Sequence, residues 1–419
     1  MPAVCQQPFE VSTTEVPGGR TPRLLQCPSS EPTYRYLHYF DLFVRKNTFN
    51  TWYPSYDTDI RKLLGTEPES PLVQAVLAVG ALESSKSSAT SPIDVSYHRS
   101  DSRYALMSYS GSMAALRDAI NLPGVPSRIQ VLWTTLLLGL FELMHDSTGS
   151  GWVKHMVHGT SRAMEAAGPV LFRSGLGRGF FLQARMFEVC RAVVFNESTF
   201  LTTPGWVALS SESWTGNGSW EWSPLDGLLD AISMCSKLCV QSGNLLDNLD
   251  QLGAVKVSEL ANDLALEGHR LRHTLEMWRV MNSEILDTAM NLGACVGSSR
   301  IVDHTGLLAN AFFAAISIYL SGVYDYSITL WRNWDILVPT LSKEDVQCHV
   351  HTILSSVSLA MERTNISHLL YLFPLRVAGA RCVDDWQRNQ VRTLLRRVGT
   401  NFVVARAFET ELNMLWGHK

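Results

Sequence analysis

The chain has 419 residues, of which 46% are hydrophobic and 18% are charged, and its formal net charge is −4. This apolar content provides enough side chains for a large core, which excludes an intrinsically disordered protein. The 35 Lys and Arg residues do not exceed the 39 Asp and Glu residues. The basic excess that is typical of a stand-alone nucleic-acid-binding protein is therefore missing.

The first 33 residues are rich in Pro and Gly and contain few large apolar side chains, which predicts a flexible N-terminal arm. They lack a basic segment followed by an apolar one, so the sequence predicts no secretory signal. The eight cysteines are scattered along the chain. We therefore expect reduced thiols and a cytoplasmic location, or a nuclear one if the protein is a regulator.

From residue 34 onward, apolar residues recur with the period of an α-helix, and no β-alternating segments or βαβ units are found. This pattern predicts an all-α fold with one large helical domain over residues 34–419. The segments 199–222 and 296–304 interrupt the period and are predicted loops. The longer predicted helices, in chain order, are residues 71–82, 104–120, 131–144, 152–167, 178–195, 224–243, 257–291, 306–324, 345–363, 380–398 and 402–415.

One segment is apolar enough to raise the question of a membrane span. Residues 305–324 carry no charge and have the length that a spanning helix needs. Asn310, Ser317 and Ser321 interrupt the apolar character, and no basic cluster flanks the segment. We therefore predict a buried core helix and no membrane span.

Most motifs of known catalytic and metal-binding sites are missing. The Gly-spaced run at residues 175–179 follows no strand, and no GxxxxGK[ST] segment is present. No CxxC or HExxH motif indicates zinc, and no GxSxG segment indicates a nucleophile elbow. Asp384 and Asp385 begin the nearest match to the DDxxD motif of terpene cyclases, but Arg388 occupies its fifth position.

One polar cluster remains, about three-fifths of the way along the chain. Asp247 and Asp250 are three residues apart, so a helix would direct both carboxylates to one side. Two carboxylates can bind Mg²⁺, and Mg²⁺ together with Lys256 can bind a diphosphate. The alternative is an exposed turn between two helices with solvated charges, which the residue spacing alone favours.

Five segments together resemble the fungal-specific transcription factor domain, the helical regulatory region usually found behind a zinc-cluster DNA-binding module. The segments are HYFDLFV at 38–44, PLVQAVLAVGALESS at 71–85, residues 136–168 with Glu142, Trp152, His155 and Gly159, FLTTPGW at 200–206, and LYLFPLRVAGARCVDD at 370–385. The family commonly has Cys after the Gly of the last segment, whereas Ala380 follows Gly379 here. The resemblance extends over residues 34–416 and implies an all-α domain.

The DNA-binding module of that family needs six closely spaced cysteines. Residues 1–33 contain only Cys5 and Cys27. The resemblance therefore leads us to expect that this chain does not bind nucleic acid directly.

The unconventional fungal humulene synthases of tropolone sesquiterpenoid pathways resemble this same helical family. They lack DDxxD and bind farnesyl diphosphate with magnesium and an essential Lys, and a Leu or Met four residues before that Lys helps to shape the product. Leu252 and Lys256 have this spacing. The resemblance implies a Mg²⁺-dependent sesquiterpene cyclase in which Lys256 is catalytic and Leu252 lines the substrate pocket. In this hypothesis Asp247 and Asp250 hold part of the metal, and Trp278 is a candidate pocket-wall residue because aromatic faces stabilise cations.

The second hypothesis is a transcription regulator without its own DNA-binding module, which acts through a protein partner or a small effector. Neither a basic localisation run nor an acidic tail is present to support it. The cyclase is therefore the preferred interpretation of the sequence. Mg²⁺-dependent release of diphosphate from farnesyl diphosphate distinguishes the two hypotheses.

Overall fold

The computed structural model describes residues 32–49, 56–66, 70–88, 95–120, 129–148, 159–215, 223–291 and 304–417. Across these ranges the chain forms seventeen α-helices joined by turns and short 3₁₀ segments, and it contains no β-strand. The all-α prediction is confirmed. Residues 1–31 of the predicted arm lie outside the described residues, and residues 32 and 33 belong to the first helix.

The helices are numbered in chain order. The first nine are α1 (Pro32–Lys46), α2 (Tyr56–Thr66), α3 (Pro71–Ser88), α4 (Val95–Ile120), α5 (Ile129–His145), α6 (Ser161–Ala167), α7 (Gly175–Phe195), α8 (Pro204–Thr215) and α9 (Pro224–Asp247). The other eight are α10 (Ala254–Met281), α11 (Ser283–Asn291), α12 (His304–Asp325), α13 (Ile328–Asn333), α14 (Lys343–Arg363), α15 (Leu372–Arg381), α16 (Asp385–Gly399) and α17 (Ala405–Gly417).

Several predicted bounds are wrong. The predicted helix 104–120 begins earlier, at Val95, and in three further cases a local capping signal or a short helix was overlooked. The predicted helix 257–291 is divided at Asn282, whose side-chain amide donates to the carbonyl oxygen of Trp278 at 2.8 Å. The predicted helix 380–398 spans a break between α15 and α16, where Asp384 caps the start of α16. The predicted loop 199–222 contains α8.

The apolar segment near residue 310 forms a central helix of the core. Within the described ranges, Gly306–Asp325 is the one helix that is long and apolar enough to cross a membrane, and 83% of its most apolar window is buried inside the protein. It packs against α9, α10, α14 and α15. On the α15 side, the ring centroids of Phe312 and Phe373 are 5.5 Å apart. This burial supports the predicted core helix.

Two glycines bring helices unusually close together. A Cβ atom on Gly80 of α3 would lie 2.0 Å from the carbonyl oxygen of Tyr36 in α1, and one on Gly268 of α10 would lie 2.0 Å from the hydroxyl oxygen of Tyr324 in α12. Such separations are far below van der Waals contact. Any larger side chain at these two positions therefore forces the helices apart.

The segment that follows α1 is attached to the segment before α15. The Thr48 N–H donates to the carbonyl oxygen of Asn365 at 3.1 Å, and the Ser367 N–H donates to the carbonyl oxygen of Thr48 at 2.9 Å. Ser367 also donates its hydroxyl to the buried side chain of Asn47 at 3.0 Å. These bonds link residues more than 300 positions apart in the sequence.

Candidate functional site

Helices α9 and α10 form a helical hairpin that carries the predicted polar cluster. The start of α9 is fixed by a capping box, in which Ser223 accepts from the N–H of Leu225 at 3.1 Å and Asp226 accepts from the N–H of Ser223 at 3.0 Å. The two helices are joined by a 3₁₀ turn, Leu249–Gln251, and Gly253 is the N-cap of α10. The cluster therefore lies at the closed end of the hairpin.

The two aspartates of the cluster occupy different elements. Asp247 is the last residue of α9, and Asp250 lies within the 3₁₀ turn. Both side chains are exposed to solvent. No single helix therefore directs both carboxylates to one side.

Lys256 lies in the first turn of α10 and points into solvent. Its Nζ atom is 3.2 Å from a carboxylate oxygen of Glu259, and the two side chains are 58% and 60% exposed. Ion pairs this exposed contribute little to stability, because water and salt screen them. The ammonium group is thus available to a solution partner, but it is not held in a water-excluding pocket.

Leu252 lines a groove between α9 and α10 with a volume of about 860 Å³. The α9 wall is formed by residues with helical spacing, namely Gln241, Asn244, Leu245 and Asn248. The α10 wall is formed in the same way by Leu260, Asp263, Leu264, Glu267 and Arg270, together with Leu266. The α9 wall is mostly polar, whereas the α10 wall has both leucines and charged side chains. We call this feature the α9–α10 groove.

The charged residues that line the groove do not include the predicted Asp247, Asp250 and Lys256. Asp263 and Glu267 are four residues apart on α10, so their carboxylates share one face. A guanidinium nitrogen of Arg270 lies 3.5 Å from a carboxylate oxygen of Glu267. The sequence analysis overlooked Glu267 and Arg270, although the spacing of residues 263, 267 and 270 would have indicated a common helix face.

Trp278 lies in the core near the other end of α10. Its indole N–H donates to the carbonyl oxygen of Pro224 at 2.8 Å, and its ring stacks on Phe313 with a centroid distance of 5.6 Å. At a rise of about 1.5 Å per residue, the 22 positions between Lys256 and Trp278 correspond to roughly 33 Å. The structure therefore does not bring Trp278 together with Leu252 and Lys256.

Within the described ranges, no group of three or more His, Cys, Asp and Glu residues is arranged to hold a metal ion. Asp263 and Glu267 are the carboxylates that line the α9–α10 groove, while Asp247 and Asp250 lie outside its walls. Two carboxylates can bind Mg²⁺ only weakly unless a substrate phosphate completes the coordination.

The other motif residues have structural roles or lie outside the described ranges. Asp384, the first residue of the near-DDxxD segment, accepts a hydrogen bond from the N–H of Gln387 at 2.8 Å and so caps α16. Glu142 of α5 accepts a hydrogen bond from the hydroxyl of Tyr109 in α4. Trp152 and His155 lie outside the described residues.

The family of the chain is shown by its match to a protein-family model. A search against protein-family models matches the fungal specific transcription factor domain to residues 35–419. The chain belongs to this family. The match covers every described helix except the first residues of α1. Comparison with curated proteins and with solved structures found no match.

Proposed function

We propose that this fungal transcription factor-like protein is a transcription regulator that acts by binding a partner in the α9–α10 groove. The observation that carries the proposal is the groove itself, which has a volume of about 860 Å³ and is lined by leucines together with polar and charged side chains. Leu266 on its wall is 53% exposed. Apolar residues at helical spacing with charged neighbours are typical of surfaces that bind another helix or an extended ligand.

The exposure of the predicted catalytic groups also favours a partner-binding protein over an enzyme that ionises farnesyl diphosphate. An allylic cation must be protected from water while it rearranges, which requires a closed apolar pocket. Here Lys256, Asp247 and Asp250 are all exposed, and Trp278 lies about 33 Å from Lys256 along α10. The family to which the chain belongs is consistent with a regulator.

The test is a reporter assay with the full chain fused to a heterologous DNA-binding domain in a fungal host. We expect the fusion to change reporter transcription about fivefold or more, and Leu266→Asp to abolish that change by placing a charge in the groove. Val280→Asp is the matched control, because Val280 is 67% exposed on the same helix but outside the groove. Reporter transcription equal to that of the DNA-binding domain alone would contradict the proposal.

A second candidate is the Mg²⁺-dependent sesquiterpene cyclase. One observation favours it: Leu252 lines a groove whose volume of about 860 Å³ lies within the usual range of ligand pockets. In this case Asp263 and Glu267, the carboxylates that line the groove, would hold Mg²⁺ together with the diphosphate oxygens. The metal would supply charge neutralisation of the diphosphate, and Lys256 would bind the diphosphate oxygens.

The cyclase is tested by incubating purified protein with farnesyl diphosphate in the presence of Mg²⁺ or EDTA and analysing the hydrocarbon extract. A Mg²⁺-dependent sesquiterpene that is lost in Lys256→Ala, but retained in the exposed control Lys343→Ala, would establish the cyclase. If the folded protein converts neither farnesyl diphosphate nor other prenyl diphosphates, this candidate is rejected.

A further inference from the structure

A second cavity, of about 280 Å³, lies where α12, α15 and α17 meet, and it shares no lining residue with the α9–α10 groove. The α12 side is formed by Tyr319, Gly322 and Val323, whose spacing places them on one face, and by Tyr326 just after the end of the helix. Val377 and Ala380 of α15 and Leu412 and Leu415 of α17 supply further apolar walls. Three packed helices thus shape the cavity, so it is part of the fold.

Small residues on two of these helices leave the cavity open. Gly322 of α12 and Ala380 of α15 both line it. A methyl group added at Gly322 would lie 3.2 Å from Nη2 of Arg381 and 3.3 Å from Cε2 of Tyr326. The absence of a side chain at residue 322 therefore leaves room for the Arg381 guanidinium and the Tyr326 ring, which both line the cavity.

Two arginines contribute guanidinium groups to the cavity lining. Arg376 donates through Nε and Nη2 to Glu411, with a shortest distance of 2.7 Å. Arg381 donates through Nη2 to both carboxylate oxygens of Asp325, at 2.8 and 3.0 Å, and its guanidinium lies over the ring of Tyr326. Within the described residues, the remaining N–H groups, on Nη1 of Arg376 and on Nε and Nη1 of Arg381, have no protein acceptor.

The remaining polar lining groups are neutral. The Tyr319 hydroxyl donates to Oδ1 of Asn196 at 3.0 Å, and the Cys239 thiol lies 3.8 Å from the same atom. Burial raises the pKa of the Tyr319 phenol and of the Cys239 thiol, so both keep their protons near pH 7. Arg376 is paired with Glu411 and Arg381 with Asp325, so the two guanidinium charges are balanced and the cavity offers a ligand the remaining guanidinium N–H donors rather than a net charge.

We propose that this cavity is a binding site for a small organic acid, a monocarboxylate with one ring or a short alkyl chain. The carboxylate accepts hydrogen bonds from the free N–H groups of Arg376 and Arg381, because planar guanidinium groups match carboxylates in geometry and charge. The apolar body of the acid packs between Val323, Val377 and Leu412. A volume near 280 Å³ is at the lower limit for ligand pockets, which restricts the occupant to a small molecule.

This proposal does not depend on the α9–α10 groove or on the proposed function, because it is tested by direct binding. The purified full chain is titrated by calorimetry with phenylacetate, hexanoate and indole-3-acetate, and with the neutral analogue phenylacetamide. We expect saturable binding of at least one acid and at least about tenfold weaker binding of the amide. Failure of all three acids to bind, or equal binding of phenylacetate and phenylacetamide, would overturn the proposal.

Two variants and a control locate the bound acid. Ala380→Leu fills the cavity and Arg376→Met removes one guanidinium while keeping the aliphatic stem, and each is expected to weaken binding at least about tenfold. The control is Arg396→Met, which removes a similar arginine–glutamate pair, 2.8 Å to Glu409, that lies outside the cavity. Because Arg376 and Glu411 are both partly exposed, Arg376→Met tests the site even if Ala380→Leu does not fold. Unchanged affinity in Arg376→Met would reject the site.

Discussion

Gly268 shows how one residue sets the distance between two helices. The hydroxyl of the buried Tyr324 occupies the space where a Cβ atom at residue 268 would lie, and it donates to the carbonyl oxygen of Leu264 at 2.8 Å. The ring of Tyr324 also contacts the ring of Trp331. The position therefore lies under a packed aromatic pair, which cannot move without opening a gap in the core.

We predict that Gly268→Ala destabilises the protein by about 1–3 kcal/mol, because the added methyl group displaces Tyr324. The matched control is Gly243→Ala in α9, where no atom lies within 4 Å of the added Cβ. The control is expected to be neutral or stabilising by up to about 1 kcal/mol, since Ala favours helix more than Gly does. Urea unfolding of both variants decides the point, and equal stabilities would contradict the close contact.

His349 of α14 couples stability to pH. Burial, followed by the nearby positive charges of Arg272 and Arg279, lowers its pKa to about 4, while Asp345 acts in the opposite direction. The unfolded chain takes up a proton near pH 6.5, but the folded protein does not until about pH 4. The free energy of unfolding therefore falls as the pH is lowered from about 6.5 to about 4. Above pH 6.5 the imidazole is neutral in both the folded and the unfolded protein, and this contribution is fully retained.

We predict that His349→Gln reduces this pH dependence. Between pH 6.5 and 5 the wild-type protein should lose up to about 2 kcal/mol through this residue, at 1.36 kcal/mol for each pH unit. Urea unfolding at pH 7.5, 6 and 5 measures the slope for both proteins. Parallel slopes for the wild type and His349→Gln would show that the folded protein does not hold the imidazole neutral. The control is His351→Gln, because His351 is exposed on the same helix.

At the scale of secondary-structure elements, the break between α15 and α16 has a side-chain hydrogen bond on each side. The indole N–H of Trp416 in α17 donates to the carbonyl oxygen of Gly379 near the end of α15, at 2.9 Å. Asp384 then begins α16 as its N-cap. A pair of aspartates that resembles part of a diphosphate motif is thus explained here by helix capping.

We predict that Asp384→Ala destabilises the protein by about 1 kcal/mol, because the N–H of Gln387 loses its acceptor. Asp385→Ala is the control, since Asp385 forms only an exposed pair with Arg388 at 3.3 Å, and it should cost less than about 0.5 kcal/mol. The two changes are compared by thermal unfolding. A larger effect for Asp385 would show that the acidic pair has a role other than capping.

At the scale of the whole molecule, the core joins residues from the first helix to the last. Phe43 of α1 contacts Phe402 ahead of α17, with ring centroids 6.4 Å apart. The hydrogen bonds of Asn47 and Thr48 attach the same region to Ser367 and Asn365. Because these contacts join residues more than 300 positions apart, removal of the N-terminal helices would expose the C-terminal part of the core.

We predict that Asn47→Ala destabilises the protein by about 1–3 kcal/mol, because it leaves the buried hydroxyl of Ser367 without its acceptor. Asn365→Ala is the control, since its side chain is exposed and forms only a long bond, 3.4 Å, to the Arg45 carbonyl. That change should cost less than about 0.5 kcal/mol. Guanidinium unfolding followed by fluorescence compares them, and equal losses would contradict a buried link.

The sequence by itself determined the class of fold and the location of its central helix. The 3.6-residue period extends over most of the chain, and burial of one face of each helix follows directly from it. The uncharged segment around Phe312 was therefore predicted as a core helix, and its burial supports this prediction. The resemblance to the fungal-specific transcription factor domain was also carried by local segments, and the family match confirms it.

Only the tertiary structure decided which side chains share a cavity and which are exposed. Residue spacing allowed both a metal site at Asp247 and Asp250 with Lys256 and an exposed turn with solvated charges, which it favoured; the structure has a turn there, and all three side chains are exposed. Likewise, Arg376, Tyr319 and Leu412 have no sequence relationship, and they meet because three helices pack around two small residues. Cavities arise from contacts between distant segments, whereas helices arise from neighbours within four residues.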